Sequence, residues 1–255
     1  MARISTHQRQ QAILDQLDQD GKVSVDTLAK HFATSEVTIR KDLRMLEAAN
    51  KLVRQFGGAV KLQHESKIDN NVSSRKKLIA LQAAKLIQPG DRIVLDSGST
   101  VMALLPYLVD RSDLVVMTNS LIVANTLSQS ETPPKLLCCG GSWDVQSQSF
   151  QGQMAEKMLS AYDFDVAFIG AAGIDGMRGT TTFNELTNLS QVMAANSARV
   201  VIMAEANKLH RRIPNVELPW SSITTFITDD TIDRASVEQI SEHGVEVICA
   251  TNEED

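Results

Sequence analysis

Residues 35–47 have the sequence Ser-Glu-Val-Thr-Ile-Arg-Lys-Asp-Leu-Arg-Met-Leu-Glu, and this stretch decides the fold of the first part of the chain. Projection at 100° per residue separates two faces of a helix, one apolar and one largely basic. The apolar face carries Ile39, Leu43 and Leu46, and the opposite face carries Val37, Arg40, Lys41 and Arg44. Ser35 suits an N-cap, and Glu36 places an acid in the first turn. We therefore predict a helix over 36–49 that packs on one side and presents cations on the other.

Two further helices are predicted before this one. The first covers about 7–19, and the second is capped by Ser24 and carries Val25, Leu28, Ala29 and Phe32 at helical spacing. A short turn joins the second helix to the third, which is the arrangement of a helix-turn-helix with its recognition helix in a major groove. Base edges would meet its early residues and phosphates its later cations. The candidate DNA-binding residues on it are Ser35, Glu36, Val37, Thr38, Arg40, Lys41 and Arg44. An ordinary solvated basic face is the alternative.

A β-hairpin is predicted directly after the third helix. Residues 52–56 alternate as a strand, Gly57 and Gly58 turn the chain, and 59–62 return. Arg54 is placed where a wing residue can reach a phosphate or a minor groove, so Arg54, Gly57 and Gly58 join the candidate DNA-binding set. The first 62 residues therefore form a winged helix-turn-helix.

Charge is distributed unevenly along the 255 residues. Residues 1–62 hold ten lysines and arginines against seven acids, a net charge of +3, so the remainder of this chain of net charge −6 carries −9. A basic head on an acidic body fits a DNA-binding module attached to a part that does not touch DNA, because phosphate attraction is local. No apolar leader or membrane span is apparent, which predicts a cytoplasmic protein. The three cysteines are interpreted as small buried apolar residues without metal or redox chemistry.

Helical and strand patterns alternate from residue 75 onward. Helices are predicted near 75–88, from 101, and at 121–128, 155–161, 185–196 and 233–243, and strands at 92–95, 114–117, 135–139, 166–169, 200–204, 223–228 and 245–248. Such alternation is typical of an α/β fold, a mostly parallel sheet covered by helices. Residues 63–74 are polar and aperiodic, which predicts a linker. The predicted domains are thus 1–62, the linker 63–74 and 75–255.

Small polar or glycine-rich loops follow four of the predicted strands. Ligands of open α/β sheets bind beyond the carboxyl ends of the strands, where backbone N–H groups and hydroxyls can hold an anion. The candidate effector-binding residues in these loops are Asp96, Ser97, Gly98, Ser99, Thr100, Asn119, Ser120, Gly140, Gly141, Gly170 and Ala171. Lys208, after the strand at 200–204, would add a cation, unless it is a solvated surface lysine. Each loop alone could be a tight turn, but together they predict a site for a phosphate and a polyol.

Motifs along nearly the whole chain resemble the DeoR family of bacterial repressors. They are Arg9-x-x-x-Ile13-Leu14, the 35–47 stretch, R-Q-F-G-G-A at 54–59, D-S-G-S-T at 96–100, T-N-S at 118–120, the pair Gly140-Gly141, G-Q-M-A-E at 152–156, F-I-G-A-A-G-I-D at 168–175 and T-T-F-N-E at 181–185. The resemblance implies a C-terminal sensor similar in fold to ribose-5-phosphate isomerase, and a repressor that a sugar phosphate releases from its operator. The subgroup it resembles implies a hexitol 6-phosphate. Departures from the family pattern occur at Ser190, Gln191, Glu205, Leu209 and His210.

Two rival functions follow from the same residues. A sugar-phosphate isomerase needs acids in the loop that here is Ile169-Gly170-Ala171-Ala172-Gly173, and all are absent, so we predict no catalytic site although Glu185, Asp175 and His210 remain near the rim. The second rival is a winged-helix module that binds protein instead of DNA. Because one recognition helix contacts few base pairs, we expect a homodimer or homotetramer on double-stranded operator DNA. No cofactor, metal or membrane is expected as a partner.

Overall fold

The chain forms two compact units, Met1–His64 and Glu65–Asp255, each described by itself below. The computed structural model describes residues 6–20, 22–48, 51–55, 57–61, 73–145, 147–182, 188–211 and 213–251. Most of the predicted linker falls outside these ranges, so its bounds and those of the two domains stay predictions.

The described residues of the N-terminal unit form three helices and a three-stranded antiparallel sheet. In chain order these are α1 (Thr6–Asp20), β1 (Lys22–Ser24), α2 (Val25–His31), α3 (Glu36–Ala48), β2 (Leu52–Gln55) and β3 (Gly58–Lys61). The three predicted helices and the hairpin are confirmed. Ser24 caps α2 by accepting a hydrogen bond from the Thr27 N–H at 3.1 Å, and Ser35 caps α3 by accepting one from the Thr38 N–H at 3.2 Å.

The wing differs from its prediction in two respects. Gln55 pairs with Gly58, so Gly58 belongs to β3 and not to the turn. In addition β1 pairs with β3, which makes the sheet order β1-β3-β2. Three residues are too few for a periodic pattern, and only their pairing with β3 makes Lys22–Ser24 a strand.

The apolar faces of the three helices meet in one core of the N-terminal unit. Ile39, Leu43 and Leu46 of α3 are buried there against apolar residues of α1 and α2, as the helical projection predicted. Leu52 and Ala59 bring the hairpin to the same core. Packing of these faces, rather than helix propensity, stabilises helices of this length.

The C-terminal unit is built on a seven-stranded sheet in which every pairing is parallel. Its order is β15-β14-β12-β9-β4-β5-β6, formed by β4 (Arg92–Leu95), β5 (Val115–Thr118), β6 (Lys135–Cys138), β9 (Phe164–Gly170), β12 (Ser197–Met203), β14 (Thr225–Asp229) and β15 (Glu246–Ala250). Since all strands point the same way, their carboxyl ends form one edge of the sheet, which we call the rim. The predicted α/β class is confirmed.

Helices cover both faces of this sheet. One face is covered by α4 (Ser74–Lys85), α5 (Ser99–Met102) and α6 (Leu121–Ser128), and the other by α7 (Gln153–Ser160), α8 (Leu189–Ala195) and α9 (Arg234–Ser241). Side chains alternate between the two cores along each strand: Ile93 and Leu95 face the first core and Val94 faces the second. Burial on both faces explains why the strands are continuous apolar runs.

Several elements of this unit were not predicted. A second, antiparallel sheet consists of β10 (Gly173–Asp175), β11 (Gly179–Thr182) and β13 (Asn215–Pro219), and β7 (Ser142–Asp144) pairs with β8 (Ser149–Gln151) as a hairpin. The helix predicted from residue 101 is only the four-residue α5, followed by a 3-10 turn at Leu105–Tyr107. The interpretation of the cysteines was wrong for two of three: Cys139 is buried, but Cys138 and Cys249 lie exposed on the two edge strands, which lack a neighbour on one side.

In the part of the chain that the structure describes, no helix combines the length and the apolar character that crossing a membrane requires.

Candidate functional site

The outer face of α3 is free for a partner. Arg40, Lys41 and Arg44 are all exposed, and Val37 beside them has 73% of its surface exposed. Lys41 and Arg44 form no ion pair with any described residue, whereas Arg40 donates to Glu36 at 2.7 Å. An exposed pair at i,i+4 is worth only about 0.3–0.5 kcal/mol, so Arg40 can exchange this partner for a phosphate at little loss.

α3 is held in place by an ion pair that the sequence did not predict. Arg9 Nε lies 2.6 Å from Asp42 Oδ2, and the two side chains are 12% and 2% exposed. Gln10 Nε2 also donates to Asp42 Oδ1, at 3.2 Å. Arg9 begins the motif Arg9-x-x-x-Ile13-Leu14, so its role in this fold is to hold α1 to the buried side of α3. This pairing orients the basic face outward.

Both glycines of the wing have a structural reason of their own. Gly57 has φ of +80°, a conformation that favours glycine. A Cβ on Gly58 would lie 2.0 Å from the carbonyl oxygen of Val23, so only glycine lets β1 approach β3. The side chain of Arg54 lies outside the described residues, and its contact with DNA stays a prediction.

At the rim, Asp96 joins the loops that follow the two central strands. Its carboxylate accepts a hydrogen bond from the Gly170 N–H at 3.2 Å and further ones from the backbone of Ser97 and Gly98. Burial raises the pKa of this carboxyl. Cβ positions built on Gly98 and Gly170 would lie 3.5 and 3.6 Å from the Cα of the other glycine, so the two loops touch. Asp96 therefore shapes the rim by holding backbone groups.

A lysine of α4 contacts the D-S-G-S-T segment at 96–100. Lys76 Nζ donates to Ser99 Oγ at 2.8 Å, which places an ammonium group on the loop that the sequence assigned to a phosphate. The four-residue α5 offers little helix dipole to an anion, and a lysine is the stronger attraction. Sequence reasoning missed Lys76 because it lies 23 residues before Ser99, on a helix whose docking is not encoded locally.

Asn119 and Ser120 follow the neighbouring strand and have different roles. Leu95 pairs with Thr118, so Asp96 and Asn119 follow adjacent strands. Asn119 is fully buried, and neither Oδ1 nor Nδ2 of its amide has a hydrogen-bond partner among the described residues. Ser120, by contrast, caps α6 by accepting from the Val123 N–H at 3.3 Å. Asn119 is therefore the member of this pair with hydrogen bonds left to give a ligand.

The remaining predicted rim residues are brought to the same edge. Gly170 ends β9 and Ala171 follows it, and Gly140 and Gly141 follow the edge strand β6. Gly141 has φ of +138°, and a Cβ on it would lie 2.6 Å from the Gln151 carbonyl oxygen, so it admits the β7–β8 hairpin. Lys208 lies after β12 and is only 7% exposed, so it is not the solvated surface lysine that was the alternative.

Glu217 is a second buried acid near the rim, and no sequence pattern pointed to it. It lies on β13, where Ser190 Oγ donates to its Oε1 at 2.7 Å and Thr180 Oγ1 lies 3.5 Å from its Oε2. Burial, with a smaller contribution from the nearby carboxyl of Asp96, raises the pKa of Glu217 to about 7. Ser190 and Gln191, two of the departures from the family pattern, both contact this residue.

Of the three residues named near the rim for the rival isomerase, only Asp175 has its side chain among the described residues. Asp175 is held by Arg178, whose Nε lies 2.7 Å from its Oδ2. Glu185 and the side chain of His210 lie outside those residues.

A cavity of about 440 Å³ lies away from the rim, between α8, β13 and the start of β14. Its lining contains small and apolar residues and no charged side chain. A phosphorylated ligand would find no cation there, so the rim remains the candidate effector site.

Comparisons with known proteins agree for both units. Residues 9–65 match the model of the DeoR-like helix-turn-helix domain, and residues 71–230 match that of the DeoR C terminal sensor domain. The chain is 36% identical over 253 residues to the putative aga operon transcriptional repressor of Escherichia coli O157:H7, with 95% of this chain and 93% of that protein covered. It is 32% identical over 239 residues to the HTH-type transcriptional regulator GlpR of Haloferax volcanii, with 91% and 92% covered.

Among solved structures, ribose 5-phosphate isomerase A from Methanocaldococcus jannaschii aligns with 52% of this chain and 52% of its own, at a TM-score of 0.39 and 21% identity. A likeness of this size says nothing about activity.

Proposed function

Because the chain belongs to the DeoR family of transcriptional regulators, we propose that it represses a sugar or polyol utilisation operon and leaves its operator when a phosphorylated sugar binds at the rim. The family is one of regulators and not of enzymes, so no residue is assigned a catalytic role. The observation that carries the proposal is the exposed basic face of α3, with Arg9 and Asp42 holding its other face inward.

The DNA-binding surface consists of α3 and the wing. Ser35, Glu36, Val37 and Thr38 lie in the first turn, where side chains meet base edges, and Arg40, Lys41 and Arg44 follow toward the phosphates. Arg54 with the backbone of Gly57 and Gly58 adds the wing contact to a phosphate or a minor groove.

Binding to promoter fragments at several salt concentrations tests this surface. Arg44→Ala should weaken operator binding by about 1–3 kcal/mol and, where the lost contact is a phosphate, reduce the salt slope by about 1. Arg234→Ala, which removes an exposed arginine from α9 of the other unit, is the matched control. If Arg44→Ala binds the operator as well as the unchanged protein, the assignment of α3 as the recognition helix is wrong. If the promoter fragments show no salt-dependent binding, the module contacts a protein instead of DNA.

The effector site is the rim of the large sheet. The phosphate is held by the loop residues Ser97, Gly98, Ser99 and Thr100. Lys76, which the sequence did not predict and which contacts Ser99, is the first cation, and Lys208 supplies a second. Asp96, Gly170 and Ala171 shape the floor, Asn119 hydrogen-bonds a hydroxyl group, and Ser120, Gly140 and Gly141 border the site. The two unpaired amide atoms of Asn119 support this assignment, because a buried polar group without a partner costs about 1–3 kcal/mol unless a ligand satisfies it.

A hexitol 6-phosphate, such as glucitol 6-phosphate, is the proposed effector. Titration of the operator complex with this compound should release DNA, with a coupling between the two sites of about 1–3 kcal/mol. If no sugar or polyol phosphate loosens the complex, the sensor half of the proposal is wrong while the DNA-binding half stands.

We also propose a symmetric homodimer or homotetramer, because one recognition helix contacts too few base pairs for a specific site. Sedimentation should give two or four chains, and a footprint should show two half-sites separated by about one helical turn or a multiple of it. A monomer protecting a single half-site would contradict this.

A further inference from the structure

Glu217 has capacity to accept hydrogen bonds that the described residues do not use. It lies on β13 opposite the register shift between Thr180 and Thr181 of β11, in the sheet that continues directly from the carboxyl end of β9. Among the described residues its carboxylate receives one good hydrogen bond, from Ser190 Oγ at 2.7 Å, and one long one at 3.5 Å. An ionised carboxylate has about four acceptor positions. Roughly half of them therefore remain for a ligand.

The surroundings of Glu217 are short of positive charge. Asp96 is near enough to interact with it electrostatically and is itself buried, so burial and mutual repulsion act against two negative charges here. No lysine, arginine or histidine of the described residues lies within ion-pair distance of either carboxylate. A group that donates a hydrogen bond to Glu217 is stabilised in this environment, and an anion placed against Glu217 is repelled.

A separate observation supports a polar binding site on the loop next to Asp96. The amide of Asn119 is fully buried on the adjacent loop with both its oxygen and its nitrogen unpaired in the described structure. The cation of Lys76, on Ser99, lies in the loop that starts at Asp96. The Asp96 loop thus has a cation, Lys76, at Ser99 and an acidic neighbour, Glu217, close to Asp96.

On the basis of the effector function proposed above, we propose that Glu217 determines which phosphorylated compounds bind. With the phosphate at Lys76 and Ser99, the carboxylate of Glu217 accepts a hydrogen bond from a hydroxyl group at the other end of the effector. It excludes phosphorylated sugar acids that carry a carboxylate at that end.

Calorimetric titration of the full chain with two matched compounds tests this. Glucitol 6-phosphate and 6-phosphogluconate share their carbon chain, stereochemistry and phosphate, and differ by a CH2OH group against a carboxylate at C1. Above pH 7, where Glu217 is ionised, the unchanged protein should bind glucitol 6-phosphate at least about tenfold more tightly, and Glu217→Gln should reduce this ratio to about threefold or less. Glu246→Gln removes a carboxylate at the amino end of β15, the opposite edge of the sheet, and should keep the ratio of the unchanged protein.

The outcomes separate this inference from the function on which it rests. If the unchanged protein and Glu217→Gln both bind glucitol 6-phosphate, with the same preference over 6-phosphogluconate, the role of Glu217 is overturned. The effector function then remains intact. Binding of neither compound to any variant overturns both. Glu217→Asp keeps the negative charge and should retain the preference for glucitol 6-phosphate. Loss of this preference in Glu217→Asp would also refute the proposal.

Discussion

Glutamine in place of Glu217 should stabilise the C-terminal unit by an amount that increases with pH. The pKa of Glu217 is about 7 in the folded chain, chiefly because of burial, against an ordinary value of 4.5. Between these two values the folded chain holds a proton that the unfolded chain has released, so the free energy of unfolding falls as pH rises through this window. Glutamine has no proton to lose, and the variant lacks this fall.

The size of the effect follows from the shift. A difference of about 2.5 pKa units at 1.36 kcal/mol per unit gives an upper bound of about 3 kcal/mol. Glu217 as a whole residue is half-buried, and solvent reduces the effect, so we expect about 1–3 kcal/mol. Ser190 can still donate to the glutamine carbonyl oxygen, and the variant should therefore match the unchanged protein at the acidic end of the window.

Tryptophan fluorescence during urea unfolding measures this unit alone. The chain has two tryptophans, Trp143 and Trp220, both in the C-terminal unit, and Trp220 is 2% exposed. The free-energy difference between Glu217→Gln and the unchanged protein should rise steadily from about pH 4.5 to above pH 7. A difference that stays constant across this range, or that decreases, would refute the reasoning, and Glu246→Gln serves as the control without such a trend.

Three further predictions concern other contacts. Asp42→Ala leaves the guanidinium of Arg9 buried without its partner and should destabilise the N-terminal unit by about 3–5 kcal/mol. Calorimetry should show that one of two unfolding transitions is lost or moves to a lower temperature. An unchanged transition would contradict the stabilising role of the ion pair. Lys76→Met removes a charge-assisted hydrogen bond worth about 1.5–3 kcal/mol and should weaken binding of glucitol 6-phosphate about 10–100-fold. Lys77→Met, which changes the exposed neighbouring lysine, should leave this binding unchanged. Asn119→Leu removes a buried unpaired amide, so the ligand-free protein should unfold at an equal or higher temperature. The variant should bind glucitol 6-phosphate at least about tenfold more weakly. A lower unfolding temperature with unchanged binding would mean that Asn119 stabilises the fold and does not bind the ligand.

The surface of α3 was predictable because it depends on one helix. Spacing at 3.6 residues per turn decides which side chains share a face, and the structure buries Ile39, Leu43 and Leu46 while it leaves Arg40, Lys41 and Arg44 exposed. The same projection could not predict the role of Asp42. Its partner Arg9 is 33 positions away on another helix, and the contact exists only after the two helices have packed.

The sequence predicted the loops of the rim, with Asp96 and Lys208, but it did not predict Lys76 or Glu217. Parallel strands bring their carboxyl ends to one edge, so the loops after β4, β5 and β9 had to meet. Lys76 lies on helix α4, and Glu217 lies on β13 of the separate antiparallel sheet. Neither element is a strand of the large sheet, so the rule about carboxyl ends does not predict their positions. Their arrival depends on how α4 docks and on the register of β13 against β11.

The amino-acid sequence alone determined the winged helix-turn-helix, the alternating α/β sensor, the family and the loops that lie at the rim. These follow from local periodicity, capping and turn chemistry, which act over a few neighbouring residues. Tertiary structure alone decided that β1 completes the wing sheet, that Arg9 orients α3, and that Lys76 contacts Ser99 while Glu217 lies close to Asp96. The physical reason is that burial, pKa shifts and ion pairs arise between residues far apart in sequence, and they take their values only once packing has brought those residues together and excluded water.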